Sequence, residues 1–231
     1  MTDTSKKIIR HLHGVMTMQE IAQKGKLLTA IREVQAWQCK RLMVSHAKMY
    51  EQARFKPAVE FFVNELYGPK DFSQRDQDIA KVVPKMAKLL PDKALHSLAN
   101  AIHLNALSFE CDFDLAKQLD GRSVDRDSYR RAYVASANQT ARAKQITFIR
   151  QLGEDLAEVV KMRGISTLLM LSRKPAKLAG VLVLHEFIET GFKAFKQLGD
   201  VDDFVVPIVN YEQQLMLQLF DLSQDNPLPD V

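Results

Sequence analysis

The segment Pro57–Asp78 carries its own start and stop signals, and they restrict the chain to helices packed around a corner. Pro57 suits a first helical turn, because the N–H it lacks would have had no intrahelical partner there, and Gly68 followed by Pro69 ends a helix. Between these signals Ala58, Val59, Phe61, Phe62, Val63 and Leu66 leave little polar surface, so this helix is expected to be buried. Ser73, with Asp76 three residues on, has the spacing of a capping box and predicts a new helix after the loop Pro69 to Phe72.

Glycine and proline are scarce, 9 and 8 of 231 residues, while good helix formers dominate and strand-type alternation is hard to find. Apolar residues recur at helical spacing instead. A long helix is expected from Gln19 or Lys26 to Ala53, then one from Gln74 to Leu90 that turns Ile79, Val82, Val83, Met86, Leu89 and Leu90 inward and is kinked or broken by Pro84. Others are expected over Pro91–Leu119, over Ser128–Met162 as one helix or a broken pair with Gly153 as a weak point, over Ile165–Ser172, and over Asp203–Leu222. Pro175–Leu198 is apolar on more than one face, the pattern of a helix in the middle of a bundle. The expectation is an all-α, single-domain bundle of about eight helices with its central apolar helix near 175–198. Residues 1–18 read as a flexible leader, 19–222 as the helical domain with 19–121 and 122–222 as a finer division into lobes, and 223–231 as a flexible tail.

At 46% apolar and 26% charged the composition is that of a globular chain able to bury a sizeable core. Lys6, Lys7 and Arg10 precede no uninterrupted apolar stretch, so no signal peptide is expected, and no apolar run approaches the roughly 20 residues of a membrane-spanning helix. Cys39 and Cys111 lie far apart without CxxC spacing, which points to two free thiols in the cytoplasm. The net charge of +4 is unevenly spread: residues 1–60 hold 11 Lys or Arg against 5 Asp or Glu, and residues 197–231 hold seven acids and no base. Two solvated faces are the plainer reading, since exposed pairs are individually weak and screened by salt; the alternative is that the two ends attract each other, within a chain or between two.

The run Phe61-Phe62-x-x-x-Leu66-Tyr67-Gly68-Pro69-Lys70-Asp71-Phe72-Ser73-x-Arg75-Asp76 resembles an uncharacterised family of proteobacterial helical proteins. Trp37-Gln38, Arg41-Leu42, Ala179-Gly180, Phe187 and Glu189-x-Gly191-Phe192-x-Ala194-Phe195 extend that resemblance over roughly residues 25 to 220. It implies an all-helical cytoplasmic protein and carries over no catalytic residue.

Several chemistries are excluded by spacing alone. No two glycines are close enough for a phosphate-cradling loop, and the GxSxG and CxxC signatures are absent. No Glu is followed by His at the Glu-x-x-His spacing of a di-iron bundle. Glu20 to Gly25 has the start of a helix-turn-helix without a recognition helix, and Asp125 and Asp127 dilute the arginines of 122–150, so nucleic acid is not an expected partner, nor is a membrane. No cofactor is expected, and no catalytic residue or metal ligand is assigned. The stripe His96, His103 and Glu110 reads as an exposed polar face.

Two clusters remain as binding candidates. Tyr67, Lys70, Asp71, Arg75 and Asp76 crowd the corner loop, where Asp71 or Ser73 caps a helix and Arg75 braces the turn. His185 and Glu189 sit one turn apart in the apolar helix, where a hydrogen-bonded core histidine is the plainer reading. The expectation is a non-enzymatic helical protein that acts by binding a protein partner or a second copy of itself. The alternative is a bundle that binds a small molecule or metal, an enzyme included, with a pocket near His185 and the 67–76 loop.

Overall fold

The chain enters as a helix rather than a leader. In the computed structural model, which describes residues 2–88 and 90–231 and leaves the Met86 side chain aside, α1 spans Asp3–Lys24. Thr2 caps it, its Oγ1 accepting the Ser5 N–H at 3.2 Å. Ile8, Leu12, Val15 and Ala22 fall on one face of α1 and are buried, while Lys6, Lys7, Arg10 and His13 face solvent. The expected flexible leader over 1–18 is thus corrected: its apolar residues recur one and two turns apart, and that stripe is covered by later helices.

Eleven α-helices and one π-helix make up the described chain, with no strand among the described residues, so the fold is all-α. After a turn at Gly25-Lys26 come α2 (Leu28–Ser45), the single turn α3 (Ala47–Tyr50) and α4 (Lys56–Phe61), which runs directly into the π-helix Phe62–Tyr67. Gly68 closes the π-helix because a Cβ there would stand 2.4 Å from the Val63 carbonyl oxygen. Next come α5 (Ser73–Met86), α6 (Asp92–Leu119), α7 (Arg126–Ala135) and α8 (Gln139–Lys161). Pro84 falls in the last turn of α5, which ends there rather than kinking. The inward placing of Met86 and Leu89 lies outside what the structure describes. The 128–162 stretch is the broken pair, divided at Ala137 in the left-handed region (φ 52°), and Gly153 is no weak point. It lets α8 approach the next-to-last segment of the chain so closely that an added Cβ would meet Val205 at 2.4 Å.

The remaining helices are α9 (Ile165–Leu178), α10 (Leu182–Gln197) and α11 (Asp202–Phe220). The single helix expected near 175–198 is corrected: Pro175 lies inside α9, and the break falls at Gly180, whose φ of +71° favours a residue without Cβ. The central place belongs to α6, which packs on α1, α2, α7, α8 and the π-helix. Hydrophobic residues assemble into two main clusters, one around Ile8, Phe61, Ile102, Leu152 and Phe195, the other around Ile31, Trp37, Leu115, Tyr129 and Leu219. Each draws on both sides of residue 122, so lobes 19–121 and 122–222 are not a division of the fold. The tail is also held. Arg126 donates to the Asn226 carbonyl (2.7 Å), Arg130 to those of Asp221 (2.8 Å) and Gln224 (3.0 Å), and Leu228 is buried. Of the arginines of 122–150, Arg126 and Arg130 form the strap that holds the tail. No helix among the described residues is long and apolar enough to cross a membrane.

Candidate functional site

Polar and charged residues occupy positions in the helical stripes where the core periodicity calls for apolar ones; Gln38, Arg41, Arg142 and Glu212 line a chamber of about 160 Å³, and Asp112 lies behind its wall, bonded to Gln38 and Tyr67. On α2, Gln35, Gln38 and Arg41 follow one another at a spacing of three and share a face. On α6, Asp112 stands in line with Ser108 and Leu115; on α8, Arg142 with Ile146 and Ile149; on α11, Glu212 with Ile208 and Leu215. All these helices turn that face toward the same interior space.

Asp112 is fully buried and accepts from three side chains. Gln35 Nε2 donates to Oδ2 at 3.2 Å, Gln38 Nε2 to Oδ1 at 2.9 Å, and the Tyr67 hydroxyl reaches both oxygens at 3.1 Å. Burial pushes the Asp112 carboxyl above the ordinary carboxylate range, against the pull of Arg142 and the three donors. The same burial, with Asp112 adjacent, raises the Tyr67 hydroxyl, which keeps it a donor. Across the chamber, Arg41 Nη1 donates to both Glu212 oxygens, at 2.5 and 2.7 Å, and His46 Nε2 lies 2.9 Å from Oε1. Desolvation would raise the Glu212 carboxyl, but Arg41 and His46 outweigh it and bring it down to about 2.

Arg142 has no such partner. Only 4% exposed, it donates to the Cys111 carbonyl (3.3 Å) and the Gln145 amide oxygen (3.2 Å), and among the described residues no carboxylate lies within ion-pair reach of its guanidinium. Its Nε and that of Arg41 are buried without an acceptor. The guanidinium carbon stands 4.9 Å from the centre of the Tyr133 ring. Tyr129, which also lines the chamber, stacks on Trp37 at 4.4 Å. The remaining wall is mainly apolar, from residues such as Leu104, Ile149, Ile208, Phe62 and Phe204. The chamber therefore combines an apolar body with a surplus of hydrogen-bond donors at one end.

The corner loop borders this chamber from outside. A second, polar cavity of about 250 Å³ lies between α1, α2 and residues 70–73, and Tyr67, Asn105 and Ser108 line both spaces. Three of the sequence candidates, Tyr67, Lys70 and Asp71, line this vestibule, as does Arg32. Lys70 is exposed and pairs with Glu65 at 3.1 Å. Asp71 Oδ1 accepts from Ser73 N at 2.9 Å and Oγ at 2.5 Å, and these bonds hold its carboxyl below the usual range. The expected capping box is thereby corrected: Asp71 takes up the free N–H of Ser73, while Asp76 turns toward Arg75.

Arg75 and Asp76 do not line the vestibule. Arg75 is buried, with Nε 2.9 Å from Asp76 Oδ1 and Nη1 donating to the Glu65 carbonyl at 2.8 Å. Nη2 also lies 2.8 Å from Asp76 Oδ1, but off the hydrogen-bond direction. The Phe72 and Phe187 rings flank the guanidinium at 4.2 and 5.0 Å. This arrangement fastens the C-terminal end of the π-helix to α5 and α10. Burial raises the Asp76 carboxyl against the opposing pull of Arg75.

His185 and Glu189 lie elsewhere. His185 is buried, and its Nε2 lies 2.8 Å from the Leu169 carbonyl oxygen. Its Nδ1 is 3.7 Å from Glu189 Oε2, beyond hydrogen-bond reach, and Glu189 itself pairs with Arg173 and Lys193 at the surface. The His96, His103 and Glu110 stripe also parts company, with His103 stacked on His11 at 4.2 Å and Glu110 exposed. No group of three or more His, Cys, Asp or Glu side chains with the arrangement of a metal site occurs among the described residues.

Sequence reasoning missed Asp112 and Glu212 and left Arg142 among the diluted arginines of 122–150. Their signal was present as position: each falls on the buried face of its own helix, where a lone charge must meet a partner inside the fold.

No curated protein and no solved structure matches the chain. A family model described as a domain of unknown function (DUF8198) matches residues 17–226, which contain the corner loop and every chamber-lining residue except Leu228, and the chain belongs to that family.

Proposed function

We propose that the protein binds a small molecule that joins an anionic, acceptor-rich group to an apolar body, and that it does so in the interior chamber. The observation that carries this reading is Arg142, a buried cation with an unsatisfied Nε and no carboxylate within ion-pair reach among the described residues. Asp112 attracts Arg142 through space but makes no direct ion pair with it, so the desolvation of the guanidinium is only partly offset, and a bound carboxylate would offset more of it with charge-assisted hydrogen bonds. Tyr133, whose hydroxyl burial pushes up to about 12, remains a donor beside it. The chamber volume is close to the roughly 150 Å³ known to admit a benzene ring, so the apolar body is of that order. Tyr67, in the wall between chamber and vestibule, is the side chain an incoming ligand would pass.

Isothermal titration with benzoate and hexanoate, each against its uncharged amide, tests this. The acids are expected to bind at least tenfold more tightly than the amides; equal affinities, or no binding by any carboxylate of a wider panel of that size, would overturn the proposal.

Self-association is a second reading, favoured by the outer face of α9, where Met170 is 70% and Leu178 90% exposed. Size-exclusion chromatography with light scattering distinguishes it, since a concentration-independent monomer would remove it.

A further inference from the structure

A third cavity, of about 350 Å³, lies on the far side of the π-helix, where Leu66 borders both it and the chamber. Its walls come from α5, α6, α8, α9 and α10 and are almost wholly hydrocarbon, with Val82, Leu98, Leu156, Leu168 and Phe192 as representatives. Three features set it apart from an ordinary packing defect. The lining includes two buried polar atoms without a hydrogen-bond partner among the described residues, Ser97 Oγ and His185 Nδ1. Its exposed members, Lys85 on α5 with Pro175 and Ala179 at the end of α9, mark a mouth at the surface. Lys85 is the one described lining residue with a fixed charge.

An apolar interior of this size, with exposed Lys85 as its one fixed charge, is complementary to an aliphatic chain that ends in an anion. We infer that this cavity is a binding site for a single-chain fatty carboxylate, its chain inside and its head at Lys85. The volume is more than twice the roughly 150 Å³ that admits one benzene ring, which corresponds to a chain on the order of a dozen carbons. A two-chain lipid would exceed it. The α9 wall fits the role, because α9 packs chiefly against α10, with a smaller contact to α8, and supplies Leu168, Leu169 and Ala176 to the cavity. This site is independent of the chamber that Arg142 lines.

The test is calorimetric titration of the full chain with dodecanoate below its micelle concentration, with dodecanol as the uncharged control. Wild type is expected to bind one dodecanoate per chain. Lys85→Ala, at an exposed position, is expected to weaken dodecanoate three- to tenfold and leave dodecanol unchanged. Ala94→Leu combined with Ala176→Leu fills the cavity and is expected to weaken both at least tenfold without lowering the melting temperature. Arg142→Met is expected to leave dodecanoate binding unchanged, which separates this site from the chamber. No binding by wild type, no response to Lys85→Ala, or a loss on Arg142→Met would each overturn the inference. So would native mass spectrometry after incubation with phosphatidylglycerol vesicles, if it showed a retained phospholipid in place of the free acid.

Discussion

Replacing Glu212 with Gln tests how the chamber's charges are held. The carboxyl falls from 4.5 to about 2 in the folded chain, a shift that corresponds to about 3 kcal/mol of stability at neutral pH. Because the folded value is depressed, that contribution is fully present above pH 4.5 and is lost as pH falls toward 2. At pH 3 the unfolded carboxyl is almost fully protonated while the folded one is still mostly ionised, which leaves about 1 kcal/mol. Glu212→Gln also leaves the Arg41 guanidinium, 2.5 Å from its acceptor in the wild type, buried without a counter-charge. Urea unfolding of both proteins, followed by Trp37 fluorescence and circular dichroism, is therefore expected to give a gap of at least about 3 kcal/mol at pH 7 that narrows by about 2 kcal/mol at pH 3. A gap that is constant across this range, or one that widens in acid, would refute the pairing of Glu212 with Arg41 and His46.

Gly68→Ala places a methyl group against the Val63 carbonyl, a backbone atom that has no room to yield, and is expected to cost about 1–3 kcal/mol in urea unfolding; a neutral result would mean that the π-helix closes in some other way. Ile8→Ala, in the segment first read as a leader, is expected to destabilise the whole fold by about 2–5 kcal/mol, because Ile8 is wholly buried in the main core. Loss of only the first helix, with the remaining transition unmoved, would contradict that. Cys39 and Cys111 are buried, and their thiols are pushed up to about 11, so neither is expected to react with iodoacetamide at pH 8 until the chain unfolds. Prompt labelling of either in the native state would count against its placement.

The corner at 57–78 was legible because its signals are local: Pro57, the Gly68-Pro69 stop and the polar loop all act within a few residues. The π-helix was not, since a wide turn over Phe62–Tyr67 leaves the same apolar run that an α-helix would. At Pro175 the error had a different source. Proline was taken as an N-terminal signal, yet α9 tolerates it in an exposed turn while Gly180 does the breaking. The N-terminal helix was undervalued because Lys6, Lys7 and His13 lie on the face away from Ile8, Leu12 and Val15, while His11 packs on His103 of α6. The chamber escaped for a reason that spacing does not reveal. Gln38 and Asp112, or Arg41 and Glu212, are separated by 74 and 171 residues, and only the packing of α2 against α6 and α11 brings each pair together. Tyr67 was found from the density of its neighbours, but its partner Asp112 was not.

The central claim is that Arg142 waits in the chamber for a ligand anion, and Trp37 can report on it. It is the one tryptophan in the chain and stacks on Tyr129, which lines the chamber. Titration of Trp37 fluorescence with benzoate in wild type, Arg142→Lys and Arg142→Met is the most direct measurement. The account predicts a saturable change in wild type, weaker binding in Arg142→Lys, and at least tenfold weaker binding in a folded Arg142→Met. Equal affinity in wild type and Arg142→Met would contradict it.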